Sequence, residues 1–525
     1  MGRAGEEGGW KNKLYFGDNL TILRENVQDE SVDLIYLDPP FNSNATYNVL
    51  FGQHKGDEAG AQITAFEDTW HWGLEAEAAY RELVDTAPPK LVELVQALRA
   101  FLGQSDMMAY LCMMALRLVE LHCVLKPTGS LYLHCDPTAS HYLKLVLDAI
   151  FRVENYRNEI IWKRATSGSS KSVAKRFGKD HDCLLYYSKS EAVTFIQQFM
   201  TYPDEEIQKR FSKSDANGRY KDAELATYSE ATLERLKKED RLIVTSSGKY
   251  RYKIYLNEIK GVPVDDIWTD IPFVNSQARE RLGYPTQKPE ALLERVIRAS
   301  SNEGDLVLDP FCGCGTTVAV AERLHRRWIG IDVTHLAIAL MKSRLQDAFG
   351  YALAPFEVLG VPVDLASARE LAKQDRYHFE WWALSLVNAR PGQDKKKGAD
   401  TGVDGLIYFY DDESGTAKKA VVQVKSGKVQ VSQVRDLIHV MEREKAKLAL
   451  FLTLEEPTEP MNKEAATAGF YEPEHFKGRG VPKVQILTIK ELLDGHRPEL
   501  PRFAPAATFK QAPRKKSEEK QKKLW

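Results

Sequence analysis

The residues with the clearest chemical potential stand in two short runs far apart in the chain. The first, Asp38-Pro39-Pro40-Phe41, ends a stretch of apolar residues. Two successive prolines stiffen the backbone and remove two N–H donors, which leaves the local carbonyls as acceptors. A carboxylate, a fixed carbonyl and an aromatic face together suit a planar group that carries an NH2. Asp38 and the Pro39 carbonyl can hold the amine hydrogens while Phe41 stacks on the ring. The same four residues would also make an ordinary Pro-Pro strand terminator. The second run, Asp309-Pro310-Phe311-Cys312-Gly313-Cys314-Gly315-Thr316-Thr317, lies between an apolar strand pattern and an apolar helix pattern. Glycines at such a turn let a ligand approach the backbone, and the helix N-terminus favours polar or negative groups. Asp332, fifteen residues beyond Thr317, is placed to take the two hydroxyls of a ribose, which points to a nucleotide-like ligand. No Gly-Lys-Ser/Thr ending follows, which disfavours a phosphate-binding P-loop. Cys312 and Cys314 lack a second Cys/His pair and read as small turn residues.

These runs need a frame. Lys13 to Phe16 reads as a short strand, Leu20 to Asn26 as a helix, and Val32 to Leu37 as a nearly uninterrupted apolar strand that delivers Asp38. Such continuous apolar runs belong to parallel sheets covered on both faces. Helices are expected over 79–125 and another buried strand over Gly129 to His134. From about 155 to 275 charged and aromatic residues interleave and the alternation of strand and helix fades, as in an inserted segment. The alternation returns with a helix at Pro289 to Ser300, a strand at Leu306 to Leu308, a helix at Thr317 to Leu324 and a strand at Trp328 to Asp332. This order predicts an α/β fold built on a mixed, mostly parallel, Rossmann-like sheet.

A third block, about 376–495, has its own helix, strand hairpin, helix and strand. Asp404 opens the strand Gly405 to Tyr410, and Ala420 to Lys425 is its hairpin partner. Alternation puts Gln423 and Lys425 on one face. An Asp on one strand and Gln-x-Lys on the next can hold a divalent metal and a water, and Glu380 in the preceding helix could add a carboxylate. Equally, a Lys and a Gln on a strand face are ordinary solvated residues.

Composition bounds the reading. At roughly 150 residues per domain, the length suggests about three or four units. Across 525 residues the net charge is −2 and 43% are hydrophobic, which excludes a uniformly basic coat and a highly charged disordered chain. The longest apolar run, Met107 to Leu116, is about half of what a membrane helix needs. The N-terminal residues contain no apolar signal segment, and six cysteines make no disulfide framework, so a cytoplasmic, reducing location is expected. Local charge is less even. Residues 151–260 hold 22 Lys/Arg against 16 Asp/Glu, and residues 507–525 hold 7 against 2. Two basic segments on an acidic body suggest a polyanion at particular places.

Asp38-Pro39-Pro40-Phe41 and the Asp309 to Thr317 run resemble the catalytic and cofactor motifs of S-adenosylmethionine-dependent DNA amino-methyltransferases. The catalytic motif comes first, Thr286-Gln287-Lys288-Pro289 precedes the helix leading into the glycine run, and Gly17-Asp18 stands near the start. This arrangement resembles the permuted beta group. The resemblance implies Asp38, Pro39, Pro40 and Phe41 as catalytic residues. It implies Asp18, Lys288, Asp309, Phe311, Gly313, Gly315, Thr316 and Asp332 as binders of S-adenosyl-L-methionine. It implies transfer of a methyl group to the exocyclic amine of a flipped base in double-stranded DNA. The Asp-Pro-Pro form is more typical of adenine N6, with cytosine N4 or a purely sensing methyltransferase fold as alternatives. The third block resembles the Mrr-like branch of PD-(D/E)xK nucleases, also in its Gly398 to Gly405 run. That resemblance implies a Mg2+ site at Asp404 and Gln423, with Lys425 and Glu380, whose activity is left open. The expected organisation is a disordered 1–12, a methyltransferase domain over 13–350 with target recognition in 155–275, a connector at 351–375, a nuclease-like domain at 376–498 and a basic tail at 499–525. A restriction–modification or defence setting follows, with no membrane partner and a homodimer left open.

Overall fold

The computed structural model describes residues 10–40, 45–50, 62–68, 71–164, 180–275, 278, 280–282, 284, 286–392, 402–409, 411, 417–473 and 480–501. Phe41, residues 1–9, Gly398 to Thr401 and residues 502–525 lie outside the described residues, and so do the expectations placed on them. The chain divides into two compact units, one of 1–194 with 269–515, the other centred on 195–268.

The larger unit is built on strands β1 (Asn12–Phe16), β2 (Val32–Leu37), β3 (Leu125–Cys135), β4 (Tyr156–Lys163), β5 (His181–Ser188), β6 (Leu306–Asp309), β7 (Arg327–Asp332) and β8 (Phe356–Leu359). They lie side by side in the order β4-β5-β3-β2-β6-β7-β1-β8. From β3 to β8 every pairing is parallel, while β5 runs antiparallel to both β3 and β4. The apolar runs read in the sequence are these buried strands: Leu34, Ile35, Leu37, Leu131, Leu133 and Leu308 are fully buried. Between β2 and β6 the order jumps across most of the chain, which creates a switch point where the carboxyl ends of strands open a crevice.

Helix α1 (Asn19–Asn26) follows β1, α2 (Leu74–Thr86) and α3 (Pro89–Leu102) lead to α4 (Asp106–Val124), and α5 (Ser140–Phe151) follows β3. Helix α4 is longer than the apolar run Met107 to Leu116, because Arg117, Glu120 and His122 are absorbed on its less buried face. By length and composition alone it could cross a membrane, but two thirds of it (67%) is buried, as befits a core helix. After β5 come α6 (Glu290–Ser300), α7 (Thr316–Arg323) between β6 and β7, and α8 (His335–Phe349) after β7.

The sequence boundary of the insert and the structural one differ. Residues 156–163 and 181–188, expected inside the insert, are core strands β4 and β5. Their mixed polarity reflects a position at the antiparallel end of the sheet. The separate unit, 195–268, carries a four-stranded antiparallel sheet ordered Leu242–Val244, Tyr250–Tyr255, Gly218–Glu224, Lys213–Asp215. It is not basic: residues 195–268 hold 13 Lys/Arg and 13 Asp/Glu. Several of its cations sit on its own carboxylates, with Lys253 on Asp215 (2.8 Å) and Asp240 (3.1 Å), Lys249 on Glu224 (3.1 Å) and Arg251 on Asp222. The surplus counted over 151–260 comes mainly from 151–194, where 9 basic residues face 5 acidic ones.

The expected connector is also structured. Its β8 adds a parallel edge to β1, and α9 (Leu365–Gln374) leads into α10 (Arg376–Leu386). The C-terminal block then forms its own sheet in the order β9 (Arg390–Pro391), β10 (Gly405–Phe409), β11 (Lys418–Lys425), β12 (Leu448–Thr453), β13 (Val484–Thr488). Strands β10 and β11 are the antiparallel hairpin read in the sequence, and β11, β12 and β13 run parallel.

Candidate active site and its relatives

Four adjacent parallel strands end in a carboxylate at the same edge of the main sheet. Asp18 follows β1, Asp38 follows β2, Asp309 ends β6 and Asp332 ends β7. All four line one cavity of about 730 Å3, together with Pro39, Pro40, Phe311, Gly313, Thr316 and Lys288. The two sequence motifs, some 270 residues apart, therefore meet because β2 and β6 are direct neighbours.

Asp38 is held by one oxygen only. Its Oδ2 pairs with the Lys288 ammonium, and both side chains are largely shielded. Its Oδ1 is buried and, among the described residues, has no hydrogen-bond partner. A buried acceptor left unmade is costly, and such an atom at a cavity wall is an acceptor awaiting a donor. Lys288 is set by the segment before it: Gln287 donates to the Glu280 carbonyl (2.6 Å) and accepts from Leu282 N–H (2.8 Å). The resemblance assigned Lys288 to the cofactor; in the structure it lines the shared cavity and one of its partners is the Asp38 carboxylate.

The glycine run turns sharply from β6 into α7. Gly315 has φ +73°, and a Cβ there would lie 2.5 Å from Met341 Cγ, so neither the backbone nor the space admits a side chain. Asp309 closes the turn by accepting from Phe311 N–H (3.0 Å) and from the Thr317 hydroxyl (2.5 Å). Burial pushes its carboxyl up to about 7 against the lowering pull of those two bonds. Asp332 accepts from Gly313 N–H with Oδ2 and from the Thr334 N–H and hydroxyl with Oδ1, each at 2.8 Å. Burial raises it as well, to about 6. Asp18 caps α1 by accepting from Leu20 N–H (2.7 Å) and pairs with Arg117 (2.7 Å).

Three further residues organise the site. Arg117 on α4 donates to Asn19 Oδ1 (2.5 Å) as well as to Asp18, and Asn19 donates to the Pro310 carbonyl (2.8 Å). One arginine thus links the start of α1 to the glycine turn. Arg344 on α8 is buried, donating to the Cys314 carbonyl (3.1 Å) and Thr316 Oγ1 (3.0 Å) and pairing with Glu290 at the start of α6 (3.1 Å). The sequence carries a signal for both: each arginine interrupts an otherwise apolar helix face. Cys312 and Cys314 are buried beside this turn, and burial pushes both thiols up.

In the C-terminal block, Asp404 and Gln423 come together at the β10–β11 hairpin. Asp404 Oδ2 accepts from Val424 N–H (2.8 Å), and Gln423 Oε1 is buried and, among the described residues, without a hydrogen-bond partner. Glu380 is buried on α10, and Lys425 ends β11 half-buried. Among the described residues no cluster of three or more His, Cys, Asp or Glu could hold a metal.

Residues 32–343 match the family model of DNA methylases of the N6/N4 type, and residues 371–492 match that of a restriction endonuclease of the Mrr catalytic type. The first match takes in more than half of the chain, and the chain belongs to the DNA methylase family, with a restriction-endonuclease-like domain fused behind it. Among relatives, it is 26% identical to the type II methyltransferase M.EcaI of Enterobacter cloacae over 63% of this chain and 69% of that protein. It is 28% identical to M.BamHI of Bacillus amyloliquefaciens over 64% of this chain and 57% of that one. With M.HpaI of Haemophilus parainfluenzae it shares 38% over 27% of this chain and 45% of its relative. A DNA modification methylase of Thermus thermophilus, solved with S-adenosyl-L-methionine, aligns with 67% of this chain and 99% of that one at 17% identity and a TM-score of 0.34.

Proposed function

We propose that the chain methylates the exocyclic amine of a base flipped out of duplex DNA, most simply adenine N6, with S-adenosyl-L-methionine as donor. The observation that carries this reading is the orphaned Asp38 Oδ1 at the wall of the shared cavity, its partner oxygen fixed by Lys288. The residues present fit the cofactor. The cavity is large enough, the glycine turn lines it at Gly313 while Gly315 packs against Met341, and Asp332 ends the next strand. When bound, S-adenosyl-L-methionine supplies an electrophilic methyl group. Asp38 Oδ1 and the Pro39 carbonyl then draw on the two amine hydrogens and turn the nitrogen lone pair toward that methyl. Lys288 holds the other carboxylate oxygen and leaves this one for the amine. Catalysis comes from orientation and from fixed charge in a shielded site.

The adenine reading rests on Asp at position 38, the form more typical of adenine N6 enzymes; cytosine N4 is the alternative. Incubating unmethylated plasmid DNA with the protein and labelled cofactor, then separating the nucleosides by mass, distinguishes N6-methyladenine from N4-methylcytosine. Label incorporation unaffected by Asp38→Ala would sink the catalytic assignment. For the C-terminal domain we propose DNA cleavage in a restriction–modification setting. The buried, unbonded Gln423 Oε1 beside Asp404 supports it as a place for Mg2+, with Glu380 and Lys425 completing the set. Bound there, Mg2+ would activate a water for phosphodiester hydrolysis.

A further inference from the structure

A second set of buried polar residues reaches the same cavity from the opposite side of the sheet order. Tyr36 precedes Asp38 by two positions on β2, so their side chains share a face, and it lines the cavity while being only 1% exposed. Its hydroxyl lies 2.8 Å from His134 Nδ1, on β3. The other ring nitrogen, His134 Nε2, lies 3.3 Å from Asp182 Oδ2, on β5. His134 and Asp182 are 0% and 1% exposed. Behind them Arg164 approaches the far oxygen of Asp182 at 3.3 Å. Three neighbouring strands thus carry an unbroken line of hydrogen bonds from a buried carboxylate to the methyl-transfer cavity.

Stability does not explain this line. Burying a carboxylate with an imidazole costs several kcal/mol of desolvation, and apolar residues of similar volume commonly serve as well. The neighbours of Asp182 on β5, Cys183 to Tyr187, are buried and apolar or aromatic. The geometry does fix protons. A carboxylate at Nε2 holds the proton there, so the neutral ring turns a lone pair on Nδ1 toward Tyr36, whose O–H donates to it. The lone pairs of the phenol oxygen are left for the cavity. Burial, with the nearby Lys288 charge, lowers the His134 pKa and keeps the resting ring neutral, while Asp182 and Asp38 pull the other way and favour the imidazolium.

We propose that Tyr36, His134 and Asp182 form the proton exit of the methyl-transfer site; the proposal rests on the methyl-transfer reading above. As the amine lone pair forms the new N–C bond, the S–C bond breaks and its electron pair stays on sulfur, leaving one proton too many on nitrogen. One of the two amine hydrogens, released from the Pro39 carbonyl, which is too weak a base to take it, passes to Tyr36 Oη while the phenol proton passes to His134 Nδ1. The imidazolium so formed is paired with the Asp182 carboxylate, and its proton returns along the same bonds to water once product leaves. Asp38, already bound to Lys288, orients the amine and keeps its charge throughout.

The test is a double-substitution cycle on the full chain, with tritiated S-adenosyl-L-methionine and unmethylated plasmid DNA in single turnover. Tyr36→Phe keeps the ring and is expected to slow transfer about 100-fold, with calorimetric cofactor affinity and melting temperature nearly unchanged. Asp182→Asn removes the acceptor that fixes the His134 tautomer and is expected to slow transfer similarly. In the Tyr36→Phe background it should cost nothing further, because it acts through that hydroxyl. A merely structural Asp182 would give additive losses. Independently of turnover, 15N-histidine spectra should show His134 protonated on Nε2 in the wild type and altered in Asp182→Asn. Full-rate transfer by Tyr36→Phe, additive losses, or a proton on Nδ1 in the wild type each overturn the relay. Should Asp182→Asn not fold, the rate of Tyr36→Phe and the wild-type tautomer decide. No transfer by the wild type overturns the methyl-transfer reading, and the relay with it.

Discussion

Replacing Arg344 by methionine removes a buried cation while roughly keeping its volume. The side chain sits under the glycine turn, bonded to the Cys314 carbonyl and Thr316 Oγ1 and paired with Glu290 at 3.1 Å. Breaking a buried pair by deleting one partner costs about 3–5 kcal/mol, because the other charge is stranded. Here Glu290 keeps Arg323 at 3.2 Å, so the cost is expected nearer about 2–4 kcal/mol. At about 2–4 °C per kcal/mol for about 150–250 residues, and less for a larger unit, melting should fall by at most about 4–16 °C. Loss of the two bonds to the turn should also weaken cofactor binding, measured by calorimetry at a temperature where the variant is folded. The companion variant Arg344→Met/Glu290→Leu replaces the pair by apolar groups, and Arg323 retains Glu294 at 2.9 Å. It should recover most of the stability without restoring cofactor affinity. A single variant that melts like the wild type, or a double variant less stable than the single, would refute the reasoning.

Gly315→Ala meets both a left-handed backbone and Met341 Cγ at 2.5 Å. It should cost about 1–3 kcal/mol in urea unfolding, and adding Met341→Ala should relieve only the steric part. Lys288→Met should reduce the single-turnover methylation rate by more than it weakens equilibrium cofactor binding, since it pairs with Asp38; equal losses would assign Lys288 to the cofactor. Asp309 prefers its proton in the folded state up to about 7, above its value in the unfolded chain, so its contribution to stability is greatest at low pH and is lost as pH rises from about 4 to 7. Relative to Asp309→Asn, the wild type should therefore lose stability over that interval, by an amount on the order of a few kcal/mol in denaturant titrations; parallel curves would contradict the assigned cause. Lys425→Ala should abolish Mg2+-dependent nicking of plasmid DNA if the C-terminal site cleaves, and unchanged nicking would remove Lys425 from it.

The apolar runs Val32 to Leu37 and Leu306 to Leu308 announced buried parallel strands, and alternation announced the hairpin carrying Asp404 and Gln423. Those signals are local, so the sequence displays them. The adjacency of β2 and β6 was legible only through the motif resemblance, because strand order depends on contacts between segments far apart. The insert boundary was misplaced at 155 because β4 and β5 share the charged and aromatic mixture of the segment that follows. Charge counting also misled: a window sum cannot show that Lys253, Lys249 and Arg251 are spent on carboxylates of their own unit. Arg117, Arg344 and the Tyr36–His134–Asp182 line escaped notice because each draws its meaning from partners on other elements.

The edge strand β8 bears on how these two domains are joined and how they could be taken apart. Its residues, Phe356 to Leu359, finish the sheet of one domain while lying in the stretch that leads to the other. Two aromatic side chains at the cofactor end, Phe16 and His335, stack at 3.7 Å, and His378 from α10 meets both edge-on. A cut at residue 350, where the family motifs end, would strip β1 of its neighbour and bare that cluster. An excised methylase should therefore carry its chain to at least residue 360 to keep that edge, and past His378 to keep the cluster covered, and a swapped nuclease-like domain should bring no strand of its own for that edge. The seam between the modules is woven into the first of them, so recombination that respects the fold must fall beyond it.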